Sequence, residues 1–568
     1  MTTKLQNLKR QLKEEKLRDA APEWMHWTGY QLLREKGYLD DNETIHSRFL
    51  SIASTAADHL PDKICIEYQQ KFYDLMWQGK LSPATPVYTN MGKPYKGMPI
   101  SCSGSYVDDS INGFYDTAKE VANLSKNGFG TSAYMSDIRP RGTGISAGGE
   151  AEGVIPVMEL LFNTTKSVSQ SSSRRGSIAC YVNIDHEDFD EVCRWVVNNR
   201  DGSHIGWCIT DNFIERYFAN EPEAIRRFQE IIYLRMLGKG YILFTDRVNR
   251  QNPRVYKDRG IQVLASNLCS EIALHSSEEY SFTCCLSSLN LSRWDEITPD
   301  DIKTAIYFLD CVNSEFIEQG KLKVGLEKAV RFAEWSRPIG LGAMGLGTYF
   351  QKKGVAFGSI QSRAMNRKIF KTISESAHKA NRELAALLGE SELMEGTGLR
   401  MSHTMAIAPT MSTALIMGGV SNGIEPVFAA VYTQESAGGD IRRAPPEVYR
   451  ILKERGQWKP EVLKSCIDNE GSVQHLDCLT KDEKLVLRTA FEIPQTDILQ
   501  MAENRAPFID QAQSVNVFFN ALATEQEVGD LHRAAFRMKH LKSLYYVRSI
   551  DADKSVNKHN QECTACEG

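Results

Sequence analysis

The chain has 568 residues, of which 42% are hydrophobic and 24% charged, the mixture of a folded globular protein and not of a collagen-like, disordered or disulfide-scaffold chain. Lys and Arg number 67 against 72 Asp and Glu, a net charge of -5, so no strong positive field exists to attract a nucleic-acid backbone, and no nucleic-acid partner is expected. The 13 cysteines stand in a chain whose charged amino terminus, MTTKLQNLKRQLKEEKLRDA, has no apolar signal core; this predicts reduced thiols in a cytoplasmic protein.

Over the first eighty residues apolar side chains recur at three- and four-residue spacing, as in WMHWTGYQLLREKGYL and YQQKFYDLMWQGK, which predicts a helical domain over residues 1–80. After Leu81 short β-rich runs (PVYTN, GYILF, SLYYVRS) alternate with helical stretches and Gly-rich turns, which predicts an α/β domain over residues 81–550. Thr404 to Ile424 is uncharged, yet Pro409, its glycines and its hydroxyl side chains break the apolar continuity of a bilayer span, so no membrane association is expected. Residues 551–568, DADKSVNKHNQECTACEG, are nearly devoid of large apolar groups and predict a flexible tail.

Three segments carry residues suited to chemistry. If Ser266–Ile272 is extended, Asn267, Cys269 and Glu271 fall on one face, and an amide, a thiol and a carboxylate line one pocket. Such a set can orient a polar substrate, act at a carbon centre and move a proton; the plain alternative is a small buried thiol beside a solvent-facing carboxylate. Pro409, Thr410, Met411, Ser412 and Thr413 read as a loop entering a helix, where hydroxyls and free N–H groups suit phosphate oxygens or simply cap the helix. Tyr545 and Tyr546 lie in what reads as a core strand, where neighbours face opposite sides, so a stacked pair requires a local irregularity.

Taken in order, MPISCSGSYVDDSIN, SNLCSEI, FTCCLSSLNLS, APTMSTA, SNGIEP, the Tyr545–Tyr546 pair and the terminal Cys-x-x-Cys resemble the catalytic subunit of ribonucleotide reductase, and the tyrosine pair resembles its class I form. The resemblance implies a ten-stranded α/β barrel with a central finger loop, preceded by the helical domain. It implies that Cys269 becomes a transient thiyl radical, that Asn267 and Glu271 hold the ribose hydroxyls, and that Cys102 and Cys284 close to a disulfide as they supply two electrons. Cys285 rivals Cys284, but Cys284 keeps the six-residue distance to Asn290 found in the family's C-x-L-x-x-x-N stretch.

The same resemblance makes Tyr545 and Tyr546 a radical relay from a metal-containing, radical-generating partner subunit, and Cys563 and Cys566 a shuttle to thioredoxin or glutaredoxin. It assigns Thr85, Ser101 and residues 409–413 to the diphosphate of a ribonucleoside diphosphate. Asp109, Ser110, Arg139 and Arg175 are implied for a dNTP or ATP effector, with Asp108 and Arg174 as alternatives to Asp109 and Arg175. A homodimer is expected, and neither a metal nor a cofactor is expected in this chain. Only about twenty residues precede the WMHWTGYQLLREKGYL segment, so an amino-terminal ATP-cone is not expected. The competing readings are an adenosylcobalamin-dependent reductase, a glycyl-radical reductase and a non-catalytic nucleotide sensor. The first has no use for a tyrosine relay, and the second needs no shuttle tail. The sensor would have lost one of Cys102, Cys269 and Cys284, all of which are present.

Overall fold

The structure, a computed structural model, describes residues 3–93, 97–146, 148–168, 176–199, 204–434 and 441–550. The amino-terminal region folds as its apolar spacing predicts, into α1 (Thr3–Leu17), α2 (Trp27–Glu35), α3 (Ile45–Ala57) and α4 (Asp62–Trp77). Helix α3 starts at Thr44, whose side chain accepts from Ser47 N while the Ser47 hydroxyl accepts from Thr44 N, a reciprocal cap for two otherwise unpaired donors. Tyr30, Leu33, Phe49, Ile52, Phe72 and Leu75 are buried between these helices, each worth about 1.5–3 kcal/mol over exposure.

A fifth helix, α5 (Thr85–Asn90), corrects the β reading of PVYTN. Pro86 pre-sets the first turn. Arg48, fully buried on α3, donates to the carbonyls of Val87, Tyr88 and Met91 at 3.2, 2.9 and 2.7 Å and so satisfies the end of the helix.

The strands are β1 (Leu81–Pro83), β2 (Cys102–Tyr106), β3 (Thr131–Tyr134), β4 (Ile178–Asn183), β5 (His204–Ile209), β6 (Tyr241–Phe244), β7 (Phe282–Asn290), β8 (Ile339–Met344), β9 (Tyr432–Gln434), β10 (Ile441–Arg443), β11 (Val517–Asn520), β12 (Ser543–Leu544) and β13 (Val547–Ile550). Strands β2 to β6 pair in chain order, all parallel. Strand β7 crosses antiparallel to β2 and begins a second parallel run. That run continues from β8 to residues 404–407 (Leu341 N to Thr404 O, 2.8 Å), then to 512–515 (Ile407 N to Ala512 O, 3.1 Å), then to Tyr545 (its N to Val515 O, 2.8 Å). Strand β12 pairs antiparallel with β6 and closes the ring.

The result is the expected ten-stranded α/β barrel, two parallel halves set antiparallel to each other. Inside it runs the segment from Ile261 to Leu274. Its Leu268 and Cys269 pack with Tyr181, Tyr241 and Tyr545, while Ile272 and Leu274 pack with Cys102, Cys284 and Leu286. Among the described residues no helix is long and apolar enough to cross a membrane.

Candidate active site

The central loop is not the extended segment that would put Asn267, Cys269 and Glu271 on one strand face. Residues 268–270 form a turn, with Ser270 in the left-handed region at φ 64. Asn267 imposes it: its Oδ1 accepts from Glu271 N at 3.1 Å and Ile272 N at 3.2 Å, an Asn-to-backbone pattern that outcompetes strand pairing. Tyr181 Oη, on β4, donates to Asn267 O at 2.7 Å, and Ser266 Oγ donates to Ile272 O at 2.6 Å. The three side chains remain in one interior, but the turn gathers them there.

Glu271 is almost wholly buried, and burial raises its carboxyl pKa to about 7, against the opposing pull of its own backbone N–H, Asn267 and Ser514. Ser514 Oγ lies 2.5 Å from the Cys269 carbonyl and 3.2 Å from Glu271 Oε2, tying thiol and carboxyl to the wall of the barrel. A carboxyl poised near neutrality can take or return a proton at the pH of the cell.

Cys102 and Cys284 are direct cross-strand partners on β2 and β7. Opposed Cα atoms of an antiparallel pair lie about 4.5–5.5 Å apart, within disulfide range. Asn267 Nδ2 donates to Cys102 Sγ at 3.1 Å and Gln511 Nε2 to Cys284 Sγ at 3.4 Å. Gly340 leaves the space, because a Cβ there would stand 3.2 Å from Cys284 Sγ and 2.5 Å from Leu286 Cδ2. Cys285 faces the other side of β7, where its thiol meets Asn313 Oδ1 at 3.8 Å in the helix Pro299–Gly320.

The terminal strand breaks at the tyrosines: β12 ends at Leu544 and β13 starts at Val547. This irregularity brings the two rings to one side of the chain, though they meet tilted and not stacked. The two rings lie 4.2 Å apart at 51°, and Tyr545 Oη is 3.5 Å from Cys269 Sγ. Buried Arg235 fixes the break by donating to Tyr545 O at 2.9 Å, and Asn516 Oδ1 accepts from Tyr546 N at 3.0 Å. Arg548 covers the Tyr546 ring at 4.5 Å.

Thr85 opens α5, Ser101 precedes β2, and residues 411–416 form a short helix behind Pro409 and Thr410. Their chain neighbours Ala84, Cys102 and Ala408 pack in one cluster with Cys284, which brings the three segments to one end of the interior. Thr410 has φ 53, and its Oγ1 accepts from Gly423 N at 2.7 Å; Ser101 Oγ is buried with no hydrogen-bond partner. Met411 and Ser412 are half-buried and Thr413 is buried.

Away from this cavity, Arg139 Nε donates to Asp109 Oδ2 at 2.6 Å, while Asp108 Oδ2 accepts from Ser110 Oγ, which caps the helix Ile111–Lys126 through Gly113 N. Arg174, Arg175, Cys563 and Cys566 lie outside the described residues.

The ribonucleotide reductase barrel-domain model matches residues 100–227, 224–397 and 390–547, and the all-alpha-domain model matches residues 28–96. The class Id ribonucleotide reductase alpha subunit of Actinobacillus ureae superposes with a TM-score of 0.85 at 37% identity, over 94% of this chain and 98% of that one. The ribonucleoside-diphosphate reductase large subunit of Invertebrate iridescent virus 3 is 31% identical over 95% of this chain and 98% of its own length. That of Caenorhabditis elegans is 28% identical over 86% of this chain and 73% of its own. The chain therefore belongs to the ribonucleotide reductase large-subunit family, enzymes that reduce ribonucleotides to deoxyribonucleotides, and has the fold of a class I alpha subunit.

Proposed function

We propose that the chain is the catalytic subunit of a ribonucleoside-diphosphate reductase that receives its radical from a metal-containing partner subunit. The observation that carries this is the Tyr545 hydroxyl against the Cys269 thiol, with the Tyr546 ring tilted against that of Tyr545, in the interior where Cys102 opposes Cys284. Its organisation is a helical domain over residues 1–80, a barrel domain over 81–550 and a redox tail over 551–568, with the working unit a homodimer.

In this reading Cys269, as a thiyl radical, takes the hydrogen from ribose C3′. Asn267 orients the hydroxyls, and Glu271 accepts the 3′-hydroxyl proton while the C2′ hydroxyl leaves as water. Cys102 and Cys284 then supply two electrons and two protons and join as a disulfide, so that C–OH and two thiols become C–H, water and the disulfide. Cys269 returns the hydrogen to C3′ and is regenerated as the radical, while Glu271 returns its proton to the 3′ oxygen. Cys563 and Cys566 reduce the disulfide and are themselves reduced by thioredoxin or glutaredoxin.

Thr85, Ser101 and residues 409–413 hold the diphosphate, a role supported by the unpartnered hydroxyl of Ser101 at the cavity end. Asp109, Ser110, Arg139 and Arg175 form the effector site, where a dNTP or ATP selects the base; the Asp109–Arg139 pair is the polar pair such a ligand would engage.

The test is reduction of labelled CDP by the purified chain with dithiothreitol and an effector, with added radical-generating subunit or with added adenosylcobalamin. Deoxycytidine product with the subunit alone is expected. Product with cobalamin alone would overturn the relay and move the chain to the cobalamin-dependent class.

A further inference from the structure

The barrel interior holds a third tyrosine beside Tyr545 and Tyr546, and the proposed relay gives it no part. Tyr241 opens β6, and its hydroxyl donates to Tyr546 Oη at 2.8 Å. On its other side His204 Nδ1 lies 2.9 Å from the same hydroxyl. The Tyr241 ring packs 4.8 Å from Tyr545 and 5.1 Å from Tyr546, edge-on to the latter at 85°.

The sheet register explains the meeting. Tyr241 pairs with Gly206 on β5, and His204, two residues before Gly206, faces the same side. Its imidazole lies nearly parallel to the Tyr241 ring, at 14°. Burial, and then Lys239, lower the His204 pKa to about 4, so the ring is neutral and carries one N–H. With the Tyr241 proton directed at Tyr546, the Nδ1–H tautomer of His204 donates to the Tyr241 oxygen. The polarity runs one way, from His204 to Tyr241 to Tyr546.

A tyrosine that gives up its hydroxyl hydrogen leaves an oxygen that can only accept. Inbound, the Tyr546 radical takes a hydrogen atom from the Tyr545 hydroxyl, and the Tyr545 radical takes one from the Cys269 thiol. Each step moves one proton and one electron, and Tyr241 keeps its own proton throughout. We propose that Tyr241, held by His204, is a positioning residue for Tyr546, aligning its oxygen with Tyr545 and donating the hydrogen bond to that oxygen while the radical resides there. This rests on the relay reading above. A purely space-filling role for Tyr241 would be met equally by phenylalanine, so the hydroxyl is what the test must isolate.

The experiment uses the full chain with its radical-generating subunit, CDP and effector, carrying 3-aminotyrosine at position 546 so that the radical is trapped there. Electron paramagnetic resonance then reads the oxygen's hydrogen bonding through the largest g component, which rises when a donor is lost. Tyr241→Phe is expected to raise that component, and His204→Leu to raise it by less. With natural Tyr546, Tyr241→Phe is expected to lower radical-limited turnover about tenfold while CDP affinity is unchanged.

A trapped radical whose g component does not move on Tyr241→Phe substitution would overturn the inference and leave the relay standing. No radical at position 546 in the otherwise unaltered chain would instead overturn the relay itself. If Tyr241→Phe fails to fold, His204→Leu carries the same reading, and an unmoved g component there counts against the inference.

Discussion

The two faces of β7 carry adjacent cysteines of equal burial and different surroundings. Cys284 points into the barrel, opposite Cys102, with the Gln511 amide at its sulfur; Cys285 points outward, into the apolar packing around the helix Pro299–Gly320 and the side chain of Asn313. Burial pushes both thiols well above the ordinary cysteine range. Neither the depth nor the direction in which burial moves the thiol separates them. What differs is the neighbour, a second thiol across the ladder on one side and a helix on the other, and that difference is why the proposed redox role falls to Cys284 and not to Cys285.

Substitution breaks the comparison most sharply. Cys102→Ser and Cys284→Ser are each expected to lower thioredoxin-driven turnover by more than about 10³-fold, because no second sulfur remains to close the disulfide. Cys285→Ser is expected to stay within a few-fold of the parent in the same assay. Equal losses on both faces would erase the distinction. Tyr546→Phe is the next largest effect: CDP binding is retained, the ring stays in place and product formation falls to background, as measured by equilibrium binding beside the labelled-CDP assay.

The pH profile sharpens the inner face further. With burial holding the Glu271 carboxyl near 7, the base form is depleted below that value, so kcat is expected to fall roughly tenfold per pH unit under acid conditions. Glu271→Gln is expected to remove that limb along with most of the activity. The smallest effect belongs to the outer face, where Cys285→Ser places a hydroxyl in an apolar wall and is expected to cost about 1–3 kcal/mol of stability in denaturant titration, with turnover at permissive temperature near that of the parent.

The amino-acid sequence disclosed the helical start through its periodicity and the barrel through a run of motifs, and the same motifs supply the site residues proposed above. Local reading failed where side chains rewrite the backbone. PVYTN has strand-like composition, yet Pro86 and the buried guanidinium of Arg48 make it a helix. SNLCSEI looks extended, yet the Asn267 amide folds it into a turn.

Tertiary partners were invisible for a different reason. Gln511, Ser514, Tyr181, Tyr241 and His204 sit in ordinary strand and loop sequence and gain meaning only when the ring closes around residues 267–271. The same holds for Cys102 and Cys284: nothing in 182 positions of separation announces a cross-strand pair. Motif order suggested it, and the antiparallel seam between the two barrel halves is what brings the two together.

The most direct test of the central claim is a single turnover of prereduced chain with its radical-generating subunit and CDP in the absence of external reductant. Differential alkylation and peptide mass spectrometry would then follow every cysteine, with Cys563 and Cys566 replaced by serine to stop exchange. The account predicts one Cys102–Cys284 disulfide for each deoxycytidine diphosphate formed, with Cys285 still a free thiol. Product formed while Cys102 or Cys284 remains reduced, or with the oxidation found at Cys285, would contradict it.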